Sequence, residues 1–238
     1  MIVDERIITF INSLDTKNSE ILEDIEREAL ADNVPIIRRE MQSFLKVLLM
    51  VKKPMRVLEV GTAVGFSALL MSEYVPEECA ITTIENYEKR IPIARQNFVR
   101  AGKEKKITLL EGDAMDVLKT LEGPYDFIFM DAAKGQYIHY LPEILRLLAK
   151  GGILVSDNVM QDGDVIESRF AVERRDRTIH ARMREYLYEL KHNDALVTSI
   201  IPLGDGVALS VKKEVGTDIA RTGFFPFSPA AFHASTSA

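Results

Sequence analysis

Four short runs carry residue types that can do chemistry together. Glu59-Val60-Gly61-Thr62-Ala63-Val64-Gly65-Phe66-Ser67 combines an acid, two glycines and hydroxyls, and Glu85 follows it. Asp131-Ala132-Ala133-Lys134 and Asp157-Asn158 then supply three oxygen ligands and one amine. Glycines let a backbone approach a ligand closely, and amides at a helix start attract a carboxylate or phosphate. Two carboxylates with an amide oxygen, and no Cys or His beside them, form a hard donor set of the Mg²⁺ type. A cofactor, a divalent cation and a basic amine would then share one cleft. That is what moving a methyl group onto a cation-chelated hydroxyl requires.

The elements that must hold these residues are legible from periodicity. Residues 3–14, 17–32 and 38–51 read as amphipathic helices, with Ile7, Ile8, Ile11 and Leu14 as the first apolar stripe. Val34-Pro35-Ile36-Ile37 interrupts the second helix, because proline restricts the residue before it. Strands then alternate with helices: strands at 55–60, 80–85, 106–110, 125–130 and 152–156, helices at about 65–75, 87–101, 114–121, 137–149 and 174–193. Val-, Ile- and Phe-rich strands without polar alternation are buried on both faces, as in a parallel sheet with helices on either side. The stretches 196–202 and 207–212 flank Leu203-Gly204-Asp205-Gly206 and read as a hairpin, hence an antiparallel edge. The fold expected is a Rossmann-like α/β domain over 1–213, divided into a helical lid (1–51) and a core (52–213). Residues 214–238, without Lys, Arg, Asp or Glu after Arg221, read as a disordered tail.

All four runs fall at strand C-termini, where ligands bind in open α/β sheets. The glycine run is not G-x-G-x-x-G, since Ala63 and Phe66 depart from it, and it lacks the Gly-Lys-Ser/Thr of a P-loop. A ligand with a ribose and a carboxylate but no phosphate fits better, and S-adenosylmethionine is such a ligand. Glu85, about 20 residues past the glycines, sits where an acid receives ribose hydroxyls. Asp113 either faces an adenine edge or caps the helix from 114, or does both. Asp131 and Asp157, delivered by two apolar strands to one edge, need a counter-charge; taken alone, Asp157-Asn158 also reads as a turn. Lys134 is a base only where a neighbouring cation favours its neutral form. The same cation would acidify a bound hydroxyl.

Composition bounds the partners. The 238 residues are 47% hydrophobic with net charge −6, which argues against a general electrostatic grip on nucleic acid and leaves room for a local basic patch. No apolar run reaches a membrane-spanning length, and the acidic N-terminus lacks a signal-peptide core. The single Cys79 suits a reducing compartment, and a cytoplasmic location is the expectation. His139, His180, His192 and His233 are scattered without metal-pair spacing and read mostly as surface residues.

The runs LEVGTAVGFSA, TTIE, GDA, FMDAAKGQY and ILVSDNV resemble the cation-dependent class I O-methyltransferases, related to catechol and caffeoyl-CoA O-methyltransferases, from about residue 30 to 213. The resemblance implies a sheet order of 3-2-1-4-5-7-6, with the N-terminal helices as lid and dimer contact. It implies that Asp131, Asp157 and Asn158 bind Mg²⁺ or another divalent cation and that Lys134 is the base. Met41, Glu59, Gly61, Ser67, Glu85, Asp113, Ala114 and Asp131 would line S-adenosylmethionine. VPII, DAAKGQY, DNV, an arginine-rich helix and IIPLGDGVALSVKK are more similar to the branch that methylates 5-hydroxyuridine at the tRNA wobble position. A small catechol-like or hydroxycinnamoyl acceptor is the alternative, because either acceptor offers two adjacent oxygens. For the tRNA anticodon loop, Arg169, Arg174, Arg175, Arg177, Arg182 and Arg184 with Arg38, Arg39, Lys46, Lys52 and Lys53 would meet phosphates, unless the helix is merely solvated. Tyr137, Tyr140 and Phe170 are candidates for base stacking or for packing.

Overall fold

The computed structural model describes residues 3–214. Among these, seven strands form one sheet in the order β3-β2-β1-β4-β5-β7-β6. They are β1 (Arg56–Val60), β2 (Ala80–Glu85), β3 (Ile107–Glu111), β4 (Tyr125–Met130), β5 (Leu148–Ser156), β6 (Leu196–Ile201) and β7 (Val207–Lys212). The first five run parallel, and β7 enters antiparallel between β5 and β6. The hairpin read from the sequence is therefore present, as is the expected strand order.

Helices α1 (Glu5–Ser13), α2 (Glu20–Ala31) and α3 (Arg39–Lys52) precede the sheet. Helices α4 (Phe66–Glu73), α5 (Ile91–Arg100), α6 (Ala114–Thr120), α7 (Tyr137–Leu147) and α8 (Arg177–His192) connect or flank its strands. Strand side chains alternate between two apolar layers, as period-two geometry dictates. Val57, Phe127 and Phe129 join the layer of α2 to α5, while Leu58, Ile128 and Met130 join that of α6 to α8. Glu59 lies two residues past Val57 and so is delivered to the first layer. Helix α4 buries seven of its eight residues, because α2 and α3 cover the face turned away from the sheet. A helix apolar all round is what that position requires.

Several expectations move. The strand read at 152–156 begins at Leu148, and the helix before it ends at Leu147 rather than 149. Pairing with β4 shifts register between Tyr125 and Phe127, so Ala149 to Gly152 form an irregular entry that resembles a turn in sequence. Helix α8 starts at Arg177, not 174, and His180 is buried within it, contrary to a surface reading; its Nε2 lies 3.2 Å from the Glu167 carbonyl oxygen. Among the described residues no helix is long and apolar enough to cross a membrane. The tail reading falls outside the described residues, apart from Glu214.

Leu70 of α4 is fully buried between sheet and N-terminal helices. Leu70→Ala is expected to destabilise the fold by about 2–5 kcal/mol through lost transfer energy and an unfilled cavity. Urea unfolding followed by circular dichroism measures it; an unchanged midpoint would contradict this packing.

Candidate active site

The residue just beyond each central strand donates its N–H to the strand beside it. Gly61 donates to the Ile84 carbonyl (3.1 Å), Gly112 to Glu85 (2.9 Å), Asp131 to Val60 (3.0 Å) and Asp157 to Met130 (3.0 Å). The four sequence runs are thereby brought to one sheet edge. They open on a cavity of about 480 Å³, lined among others by Gly61, Ser67, Glu85, Ala114, Asp131, Lys134, Asp157 and Asn158. That size suits a cofactor-like ligand.

At one end of the cavity lies the glycine loop. Gly61 has φ +104°, and a Cβ there would stand 2.1 Å from the Asp131 carbonyl oxygen, so no other residue fits without displacing the neighbouring strand end. Ala63 also adopts a left-handed φ of 47°. Glu85 holds it there: Oε2 accepts from Ala63 N (2.7 Å), while Oε1 accepts from Asn86 N and Tyr87 N. Oε2, with one bond made, keeps capacity for a ligand hydroxyl. Ser67 enters the wall in the first turn of α4.

Glu59 sits beneath this loop, fully buried and not itself on the cavity wall. Its Oε2 accepts from the Thr83 hydroxyl, which in turn meets the Thr62 hydroxyl, while Oε1 has no partner. Burial raises its carboxyl to about 7; Ser67 and Thr83 oppose the rise, and Asp131 and Glu85 add to it.

At the other end, Lys134 Nζ donates to Asp131 Oδ1 across 3.1 Å. Asp157 is 5% exposed, and its Oδ1 accepts from Asn158 N at 2.7 Å. Burial, then the charge of Asp131, pushes its carboxyl up to about 7, against the pull of Asn158 N and Lys134. Tyr137 donates its hydroxyl to the carbonyls of Met130 (3.0 Å) and Asp157 (3.2 Å), pinning the two strand ends together. Among the described residues no three His, Cys, Asp or Glu side chains converge on a metal position. The set here is two carboxylates and an amide. It fits a hard divalent cation because the second carboxylate is buried beside the first with only one ammonium to offset them.

Three expected residues lie elsewhere. Met41 is buried in the apolar layer with Leu45 and Leu49 and does not line the cavity. Asp113 is exposed and caps α6 by accepting from Met115 N (2.9 Å), outside the cavity wall. Glu59 acts from below, as described. Other wall residues are not among those expected to line the cofactor, although Arg38 and Tyr140 are expected near an RNA acceptor. Pro35 to Arg38 form one side, held by Gln42, whose Nε2 donates to the Ile37 carbonyl (3.1 Å), and Asn86, Arg90 and Tyr140 complete the wall. The Val34-Pro35 break between helices was the available signal for the first group.

The arginine-rich segment is only partly free. Arg177, Arg182 and Arg184 donate to the carbonyls of Val172, Gly135 and Val165, and Arg175 pairs with Glu173 and Asp176. Arg169, Phe170 and Arg174 are exposed. Tyr137 is a packing residue, fully buried against Tyr186.

Comparison with known proteins decides the family. The O-methyltransferase family model matches residues 12–213. The chain belongs to that family. It is an S-adenosylmethionine-dependent O-methyltransferase of the catechol and caffeoyl-CoA type. It is 33% identical over 183 residues to caffeoyl-CoA O-methyltransferase 2 of Populus trichocarpa, covering 70% of each chain. It is 35% identical over 128 residues to a catechol O-methyltransferase of Niastella koreensis, covering 52% of this chain and 58% of that protein. A methyltransferase from Podospora anserina, solved with SAH bound, superposes with a TM-score of 0.81 at 27% identity, covering 89% of this chain and 97% of that one.

The raised Glu59 carboxyl has a consequence for stability. The folded state holds this proton more tightly than the unfolded chain, whose value is near 4.5. Its contribution is therefore full below about 4.5 and is lost as pH rises towards 7, at a slope of about 1.4 kcal/mol per pH unit between those values. Glu59→Gln should flatten this part of the stability profile for the ligand-free protein. Melting temperatures of both proteins from pH 4.5 to 8 check it; parallel curves would refute the assignment.

Proposed function

We propose that this O-methyltransferase works on a divalent cation, Mg²⁺ or a similar ion, held by Asp131, Asp157 and Asn158, and that its acceptor is 5-hydroxyuridine at the wobble position of tRNA. The observation that carries the chemistry is the convergence of these three oxygen ligands and Lys134 with the glycine loop in one cavity. A bound divalent cation would supply positive charge to two adjacent acceptor oxygens and acidify the one that is a hydroxyl. In 5-hydroxyuridine those oxygens are the hydroxyl and the neighbouring C4 carbonyl.

The chain's own residues supply the rest. The amides of the Gly61–Gly65 loop and Ser67 hold the cofactor's amino-acid end, and Glu85 receives its ribose. Lys134, once its ammonium has released Asp131 and given a proton to solvent, accepts the acceptor's hydroxyl proton as the neutral amine. The helices before residue 52 act as a lid, with the Pro35–Arg38 strap excluding water from the cleft. Catalysis is then mostly positioning together with charge stabilisation.

For the tRNA acceptor, the support is Arg38 and Arg90 on the cavity wall and the exposed Arg169-Phe170 pair with Arg174 on the segment after Asn158. An exposed aromatic between arginines suits an unstacked base and its phosphates. A second reading, a small catechol-like or hydroxycinnamoyl acceptor, is favoured by the internal engagement of Arg177, Arg182 and Arg184 and by the names of the relatives. We also propose a homodimer. Ile7, Phe10 and Ile11 of α1, Leu14 just beyond it, and Val47, Met50 and Val51 of α3 are all exposed, apolar surface that a second copy of the chain could cover. Light scattering at the mass of one chain would remove the dimer.

Lys134→Ala should lower turnover about 100- to 10,000-fold while leaving cofactor affinity near that of the parent. A chelator should abolish turnover, and added Mg²⁺ should restore it. Mass spectrometry of nucleosides from tRNA incubated with enzyme and cofactor should show 5-hydroxyuridine replaced by its methyl ether. Binding should weaken steeply with salt. Unchanged tRNA alongside rapid methylation of a catechol would select the second reading, and full turnover of Lys134→Ala would overturn the base assignment.

A further inference from the structure

The Leu203–Gly206 turn between β6 and β7 is absent from the chemistry so far, yet it grips the segment that follows the cation ligands. The Gly206 carbonyl accepts from Val159 N (2.9 Å), and the Asp205 carbonyl accepts from Met160 N (2.9 Å). The Asp205 side chain, 8% exposed, accepts from Asp162 N through Oδ1. Gly206 has φ +82°, and a Cβ there would meet Met160 Cγ at 2.1 Å, so the two backbones are in close contact.

The gripped segment needs holding. Asn158, Gln161 and Asp162 all take left-handed φ values of 56°, 49° and 51°, a region that L-residues enter at a cost in strain. Such a backbone persists only where its surroundings over-determine it. On the β4 side, Asp157 is fixed by its bond to Met130 and by Tyr137. On the opposite side the three contacts from the hairpin turn supply the restraint. Of these, only the Asp205 side-chain bond depends on residue type. Asp162 carries the effect outward as well, since its Oδ1 lies 3.8 Å from the guanidinium of Arg38 on the cavity wall.

We propose that Asp205 is a positioning residue for the cation site: by accepting the Asp162 N–H it locks the left-handed 158–162 turn and so fixes Asn158 as a ligand. It is not on the cavity wall. The proposal rests on the reading that Asp131, Asp157 and Asn158 bind a divalent cation. Groups that orient metal ligands typically shift affinity about 10- to 100-fold when removed. Asparagine keeps an oxygen able to accept the same N–H; alanine does not.

The test uses the full chain saturated with S-adenosylhomocysteine, with Mn²⁺ as the paramagnetic probe of the cation site. Free Mn²⁺ is read by electron paramagnetic resonance, and S-adenosylhomocysteine affinity is measured separately by calorimetry. Asp205→Ala should bind Mn²⁺ about 10- to 100-fold more weakly, with S-adenosylhomocysteine affinity within about twofold of the parent, a split that general loss of structure would not produce. Asp205→Asn should restore Mn²⁺ binding. Equal Mn²⁺ affinity in Asp205→Ala and the parent overturns the proposal, as does an equal loss in Asp205→Asn or a parallel loss of S-adenosylhomocysteine binding. Absence of Mn²⁺ binding by the parent chain rejects the cation reading itself, a different result from any of these.

Discussion

Like charge at one sheet edge is the constraint around which this molecule is organised. Glu59, Glu85, Asp131 and Asp157 all lie at or just beyond the C-termini of β1, β2, β4 and β5. Apolar layers above and below the sheet keep water from relieving their repulsion. Burial alone pushes such groups towards their neutral forms. Glu59 and Asp157 rise to about 7. Glu85 accepts three backbone N–H groups, and Asp131 accepts from Lys134. The edge is thus electrostatically unfinished, and the imbalance is concentrated where a positively charged sulfonium cofactor and a cation would bind.

That arrangement follows from the sheet rather than from individual side chains. The order β3-β2-β1-β4-β5 places the four acids in successive positions, and the N–H bonds beyond each strand fix their spacing. Gly61 is the point where backbone approach is closest, because β1 and β4 end together there. A side chain at that position would separate the cofactor loop from Asp131. The glycine loop and Asp131 are therefore coupled through one contact between backbones.

Much of this was visible in the chain itself, and the reasons differ by element. Apolar strands such as YDFIFM announce themselves because burial on both faces leaves no polar alternation, and Asp131 and Asp157 stand out as acids immediately after such strands. Asp113 does cap its helix, since a carboxylate preceding a helix finds the Met115 N–H locally. Met41 occupies the core because α3 turns that face towards α4, a tertiary fact that helical periodicity does not distinguish from a cavity wall. The arginines of α8 show the same limit. Charge in sequence suggested a binding face, whereas Arg177, Arg182 and Arg184 instead satisfy carbonyls of the loops they cover. Those segments, 134–136 and 161–176, are short 3-10 turns and connecting chain, and they leave backbone acceptors that no longer helix or strand pairs.

The least legible part, the hairpin turn, reaches the site through backbone bonds that carry little side-chain signature. Only Gly206 and Asp205 betray it, one by the absence of a Cβ and the other by a carboxylate at an otherwise ordinary turn. Antiparallel insertion of β7 beside β5 is what makes the reach possible. A parallel strand in that place would bring its C-terminal end, rather than a two-strand turn, to the edge where Asn158 lies. Here the end of β6 and the start of β7 arrive together beside residues 159 to 162, so a short turn can bond to three donors there. The departure from parallel order is thus tied to this edge: it brings a short turn against the segment that follows Asp157 and Asn158.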